Sequence, residues 1–169
     1  DGTESSAYIY ANYFLARKIT SEERISLLNK LSAQFPLKLY SHKPASQIPN
    51  AQFMGTIDYY ETMPFVFQNS DINLNITLKS IYSGIPLRCM DIMGTGAFLL
   101  TNYQSEFNDF FLPDEDFVFY ESEEDCINKT RYYLSHESKR LQISKNALEK
   151  MRDSHTFIHR VNTILSVLP

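Results

Sequence analysis

The sequence predicts an α/β fold, Rossmann-like, with a mainly parallel sheet that carries helices on both faces. Three observations lead there. Stretches with strand-like patterning, about four to six residues long, alternate along much of the chain with stretches whose apolar residues recur at helical spacing. Strands separated by helices require right-handed crossovers and therefore parallel neighbours. A chain of 169 residues, 43% hydrophobic and 21% charged, is long and apolar enough to bury such a sheet.

Each element has its own signal. Tyr8, Ile9, Tyr13 and Phe14 recur at helical spacing, and Thr20-Ser21-Glu22-Glu23 reads as a capping box opening Ile25 to Leu31, so two helices are expected to meet near Ile19. Leu37 to Tyr40 patterns as a strand, Pro44 and Pro49 mark Ser41 to Asn50 as a loop, and Gln52 to Met54 is a short strand stopped by Gly55. Asp58 to Asn69 reads as a helix bent or broken at Pro64. Ile72 to Thr77 alternates as the third strand. Pro86 stands at a first helical position, Leu87, Met90 and Ile92 follow, and Gly94 and Gly96 close the helix. Ala97 to Thr101 is a buried strand, Gln104 to Phe111 a short helix, and Phe117 to Tyr120 another strand. Ser122 caps a helix through Leu134 whose first turn carries Glu123, Glu124 and Asp125, the favourable end for acids. Ser138 to Met151 and Thr156 to Val167 finish the helical pattern. Residues 1–169 are expected to form a single domain, with 1–33 a helical linker segment and 155–168 a closing helix.

Composition excludes several classes. Sixteen basic against 20 acidic residues leave a net charge of -4, with no basic field for nucleic acid or an anionic membrane. Two cysteines, Cys89 and Cys126, suit a reducing compartment. No apolar run approaches the roughly 20 residues that span a bilayer, and the start lacks a signal peptide's pattern, so a cytoplasmic location is expected. The chain opens Asp1-Gly2-Thr3 without Met, which suggests a piece of something longer.

In parallel sheets ligands bind beyond the carboxyl ends of the strands. The stretch Ser80 to Asn102, SIYSGIPLRCMDIMGTGAFLLTN, places a turn, a helix start, an Arg and an Asp there. Gly84 allows close backbone approach, the amides past Pro86 can face a phosphate, and Arg88 adds a charged fork. Asp91 shares the face of Arg88, within reach of hydroxyl groups on a ligand whose diphosphate sits at Arg88. A nucleotide sugar has both groups. The spacing alone favours a plainer reading, an exposed Arg88–Asp91 ion pair.

Other motifs carry less. Gly94-Thr95-Gly96 lacks a third glycine and precedes a strand where a dinucleotide fingerprint follows one, so it reads as a helix stop. Asp114-Glu115-Asp116 reads as solvated loop acids, His155 and His159 as part of a capped helix start, and no metal is assigned to either. Neither cysteine has a recognisable His partner.

The run from Asp71 to Leu168 resembles the nucleotide-sugar-binding half of GT-B glycosyltransferases, and more narrowly the CgeB-like glycosyltransferases of bacteria. DINLNITLKSIYSGIPLRCMDIMGTGAFLLTNY carries the resemblance most specifically, FVFYESEEDC and KTRYYLSHESKRLQISKNALEKMRDSHTFIHRV support it, and residues 1–70 match more loosely. The resemblance implies a donor-binding domain whose N-terminal acceptor-binding partner lies outside this chain. It implies that Arg88 contacts the diphosphate as the catalytic residue and that Asp91 takes the place of the acid holding the ribose. Asn75, Lys79 and Ser80 would line the cleft beside Gly84, and Tyr120 would border the base. Many retaining GT-B enzymes carry two glutamates at the spacing held here by Ser83 and Asp91, so the first acid is replaced.

The expected activity is transfer of a sugar from a nucleoside diphosphate donor to a hydroxyl acceptor in envelope, spore or polysaccharide glycosylation, with no cofactor and no metal required. A donor- or protein-binding module without activity, or half of a nucleotide-sugar epimerase, are the alternatives.

Overall fold

A computed structural model describes residues 5–167 of the chain; the first four residues and the last two, including the Leu168 end of the expected closing helix, lie outside the described residues. The chain divides into two compact units. One takes the residues up to Thr62 together with Ile76–Ser83, and the other takes Met63–Asn75 and everything from Gly84 onward.

In the first unit α1, Ser6–Ile9, is capped by Ser5, whose hydroxyl accepts from the Tyr8 amide at 3.2 Å. The helix widens into a π-helical stretch at Tyr10–Leu15 and continues as α2, Ala16–Ser32. The expected junction near Ile19 is therefore absent: Thr20 does not cap a new helix but donates its hydroxyl to the Ala16 carbonyl at 2.7 Å and accepts the Lys79 amide at 3.0 Å. Leu27, Leu28 and Leu31 bury one side of α2. Strands β1, Lys38–Tyr40, and β2, Gln52–Gly55, pair in parallel, and Gly55 takes a φ of +78°, open to glycine without strain. Between them Asn29 ties the loop by donating to the Gln47 carbonyl at 2.7 Å. The segment Ile76–Ser83 is held to the long helix by Arg24 on the Ile76 carbonyl, 3.0 Å, and by Tyr82, which donates to Asn12 at 2.7 Å.

The second unit opens with α3, Met63–Gln68. Pro64 does not break this helix, because it sits in the first turn, where its missing N–H would have had no partner. The expected start at Asp58 is instead a turn in which the Asp58 carboxylate accepts the amides of Tyr60 and Glu61 at 2.8 and 2.6 Å. Three parallel strands follow, β3 Asn73–Asn75, β4 Leu99–Asn102 and β5 Val118–Tyr120, in the order β3-β4-β5. The third strand stops at Asn75 rather than Thr77, since the Ile76 carbonyl and Lys79 amide already bond to α2 residues. Register places Asn75 beside Thr101 and Thr101 beside Phe119.

Helix α4, Leu87–Gly94, connects β3 to β4 and packs on both strands and on α6, Glu137–Ser154. The core on that side joins Cys89, Ile92 and Met93 of α4 to Leu99, Phe107, Phe111, Phe117 and Ala147. Alternation along the chain sends Phe98 the other way, where its ring meets Tyr133 at 4.9 Å between centroids. Tyr133 belongs to α5, Glu123–Leu134, which packs on β5 and α6. The sheet is thus covered on both faces. Ser122 caps α5 as expected, accepting the Asp125 amide at 3.1 Å. The stretch expected to be helical from Gln104 is a 3₁₀ turn, Ser105–Asp109, and α7 runs Phe157–Ser166.

Gly94 and Gly96 end α4 in different ways. Gly96 has a φ of +75°, and a Cβ there would stand 3.1 Å from the Leu148 side chain, whereas a Cβ at Gly94 would meet only Met151, at 3.6 Å. Gly96→Ala is expected to lower stability by about 1–2 kcal/mol, and Gly94→Ala to leave it unchanged or raise it by up to about 1 kcal/mol, both read from urea midpoints. His155 packs against Phe111 with tilted rings, 4.9 Å between centroids, and its pKa is lowered chiefly by burial, then by Arg160, His159 and Lys150. The fold therefore prefers neutral His155. As pH falls through the ordinary His range, about 6.5, the unfolded chain takes up this proton first and stability declines. Urea unfolding between pH 7.5 and 5.5 should show a smaller decline in His155→Gln than in the parent.

Candidate functional site

The site begins with topology. A crossover helix between parallel strands runs back along the sheet, so α4 starts at the carboxyl edge of β3 and β4. Pro86 is the residue before the helix, φ -61° and ψ 140°, one position earlier than expected, and α4 has no side-chain cap. The Cys89 amide turns back to the Pro86 carbonyl at 2.9 Å. The amides that an anion would meet are those of Leu87 and Arg88. The first turn of α4 carries no acid and instead carries Arg88, a cation at the positive end of a helix dipole. An anion there relieves both.

Arg88 is exposed, while Cys89, Ile92 and Met93 on the opposite side of the same helix are buried. Its guanidinium lies over the Phe67 ring, 5.5 Å from the centroid, and Nη1 donates to the Met63 Sδ at 2.7 Å. Helix α3 thereby supplies a shelf of one ring and one thioether, and an Arg stacked on a ring gives up rotamer freedom that a free Arg keeps. Asp91, half-buried, follows on the same helix.

Beneath the edge lies a tied polar layer. Asn75 at the end of β3 donates its side-chain amide to Thr101 Oγ1 at 3.0 Å, and Tyr120 at the end of β5 donates its hydroxyl to the Asn75 carbonyl at 3.3 Å. The Cys89 thiol points to the same Thr101 oxygen at 3.9 Å, and burial pushes its pKa up to about 12. Such a thiol is no nucleophile near neutral pH.

The structure therefore places Gly84, Arg88, Asp91, Asn75 and Tyr120 in the second unit, with Asn75 and Tyr120 bonded to one another. Lys79 and Ser80 belong to the first unit, where Lys79 pairs with Glu23 at 3.2 Å. Met63, Phe67 and Thr101 are contributors that sequence reasoning passed over. Thr101 had a visible signal, a polar residue closing an otherwise apolar strand.

Asp116 is a correction. Expected to be solvated with its acidic neighbours, it is 3% exposed, accepts the Leu112 amide at 2.7 Å and pairs with Lys150. Its position just before Phe117 draws it into the core, and a buried carboxylate requires such partners. His159 accepts from the Thr156 hydroxyl at 2.7 Å in a capping arrangement at the start of α7. Among the described residues no group of three His, Cys, Asp or Glu side chains is disposed to hold a metal ion.

Residues 18–166 match the family described as glycosyl transferase-like. No curated protein sequence matches the chain. Among solved structures, sucrose-phosphate synthase from Thermosynechococcus elongatus superposes with a TM-score of 0.69 at 12% identity, over 92% of this chain and 42% of that one. HepE of Anabaena, solved in complex with UDP, gives 0.63 at 14%, over 85% and 44%. The C-terminal domain of a group 1 glycosyl transferase from Francisella tularensis gives 0.59 at 13%, over 85% and 82%. The chain spans less than half of the first two and most of that C-terminal domain. Its parallel α/β architecture is that of the Rossmann-like domains of GT-B glycosyltransferases.

Phe67→Leu preserves much of the apolar volume but removes the ring under Arg88. It is expected to cost under about 1.5 kcal/mol of stability and to raise Arg88 side-chain mobility, seen as a lower Nε–H order parameter in NMR relaxation. Unchanged Arg88 order in this variant would show that the ring does not restrain it.

Proposed function

The chain belongs to the glycosyl transferase-like family, and on that premise we propose that it is the donor-binding domain of a GT-B glycosyltransferase, similar to the CgeB-like enzymes. The reading rests above all on the start of α4, where free helix amides and Arg88 stand together without an anionic cap. A nucleoside diphosphate sugar supplies the missing charge. Its diphosphate would sit at the Leu87 and Arg88 amides and the Arg88 guanidinium, its ribose hydroxyls at Asp91, with Gly84 leaving room for the backbone to approach. Asn75 and Tyr120 would form the floor beneath.

In the complete enzyme a hydroxyl acceptor attacks the anomeric carbon as the bond to the diphosphate breaks, and negative charge grows on the leaving oxygen. Arg88 and the helix amides stabilise that charge from fixed positions, work that other transferases give to a metal ion, so no metal is needed here. The acceptor and its general base belong to an N-terminal domain beyond this chain, a division in keeping with the 42–44% of the longer relatives that the chain covers. Cytoplasmic action, in envelope, spore or polysaccharide glycosylation, completes the reading. Ser83, standing where related enzymes carry an acid, favours one rival, a donor-binding module without transfer activity.

Titration calorimetry with UDP, GDP and dTDP tests the donor site. At least one should bind saturably, and Arg88→Ala should weaken it roughly 10- to 100-fold, the equivalent of about 1.5–3 kcal/mol for a charged hydrogen bond. Its melting temperature should stay within about 2 °C of the parent, since Arg88 is exposed. No binding by any of the three, or indifference to Arg88→Ala, sinks the assignment. Sugar transfer by the full-length protein separates the transferase from the inactive module.

A further inference from the structure

β4 ends at Asn102, and two residues later the chain reaches Gln104, extended at φ -140° and ψ 127°. Its backbone carbonyl accepts the Phe107 amide at 3.2 Å and starts the 3₁₀ turn. Gln104 as a residue is only 6% exposed, and its Oε1 has no hydrogen-bond partner, the one such enclosed side-chain atom among the described residues. Its surroundings are otherwise settled: the Tyr103 hydroxyl accepts from Asn108 at 3.1 Å, the Tyr103 ring meets Phe119 edge-on, and Thr101 is engaged with Asn75.

A buried amide without a partner destabilises the fold relative to an apolar side chain of the same shape. Gln104 stands on the segment that leaves the carboxyl end of β4, the same edge at which α4 begins, where ligands of parallel sheets are held. We propose that Gln104 is a donor-reading residue whose enclosed amide forms a hydrogen bond with a hydroxyl or N–H group of the bound nucleotide sugar. This rests on the donor-binding reading above and adds to it a contact that fixes which donor is accepted. A site built to bond a particular O–H or N–H rejects analogues that lack it far more strongly than an apolar wall can.

Gln104→Leu tests the proposal because the two possible roles move its readouts in opposite directions. The ligand role predicts a melting temperature unchanged or raised by about 2–4 °C, together with roughly 10- to 100-fold weaker donor binding in calorimetry. The probes are UDP, GDP, dTDP and their glucose conjugates. Weakening of the free diphosphate locates the partner group on the nucleotide, and weakening confined to the conjugate locates it on the sugar. A lower melting temperature with unchanged affinity shows Gln104 to be a structural group and overturns the proposal, as does no change in either. Gln104→Met fills the same space flexibly and carries the same criteria if the leucine variant does not fold. A parent that binds none of the probes overturns both this and the donor reading. A parent whose binding falls in Arg88→Ala but not in Gln104→Leu overturns this one alone.

Discussion

Parallel pairing of β4 between β3 and β5 is the constraint from which the rest of the second unit follows. Parallel neighbours cannot be joined by a hairpin, so every strand must be followed by a return crossover, and each return brings a new start to the same edge of the sheet. The strand itself carries the commitment: Leu99, Leu100 and Thr101 are all buried, which only a sheet covered on both faces permits. Once that pairing forms, the start of α4, the ends of β3 and β5 and the segment from Tyr103 onward are brought to one edge without any further specification.

The cations of this unit divide according to what they bond. Arg140 is buried and spends its fork on the carbonyls of Tyr133 and Leu134 and on Asp71, closing the end of α5 against the approach to β3. Lys150 is taken by Asp116. Both are explained by the protein's own acceptors. Arg88 is the contrast, resting on a ring and a sulfur that restrain it without neutralising it. On the proposed reading, the counter-charge to Arg88 is the donor's diphosphate.

The fold was legible because crossovers, turns and burial all leave marks on composition and spacing. Ala97 to Thr101 announced the central strand, Ser122 announced the start of α5, and Gly94 and Gly96 announced the end of α4. Failures came where a local signal was overruled by a distant partner. Thr20 looks like a cap until the Lys79 amide, 59 residues away in sequence, claims its oxygen. Asp116 looks like a loop acid until Lys150, 34 residues on, meets it. Of the candidate site, the position of the α4 start was legible from Pro86, which stands immediately before the helix. Met63 and Phe67 were not, since apolar residues on a short helix carry no mark of what lies above them. Nor was Gln104, whose significance is a property of burial and not of residue type.

The distribution of unsatisfied groups bears on the same question. Two other helix starts of the unit are satisfied from within, α5 by Ser122 and three acids and α7 by Thr156 with His159, while α6 has no side-chain cap and one first-turn acid, Glu137. At the carboxyl edge the unit does the reverse. Pro86 offers no cap, Arg88 adds positive charge to a positive helix end, and Gln104 encloses a polar atom without a partner. Each choice lowers the stability of the unliganded fold, and each would be removed by an ordinary substitution, an Asp before α4, a Glu in place of Arg88, a Leu at Gln104. Natural chains stay above a stability threshold without reaching the optimum, and they give up stability where a ligand returns it. Three such concessions, all on the segments that meet one edge of one sheet, are what the proposed donor site requires of the unliganded fold.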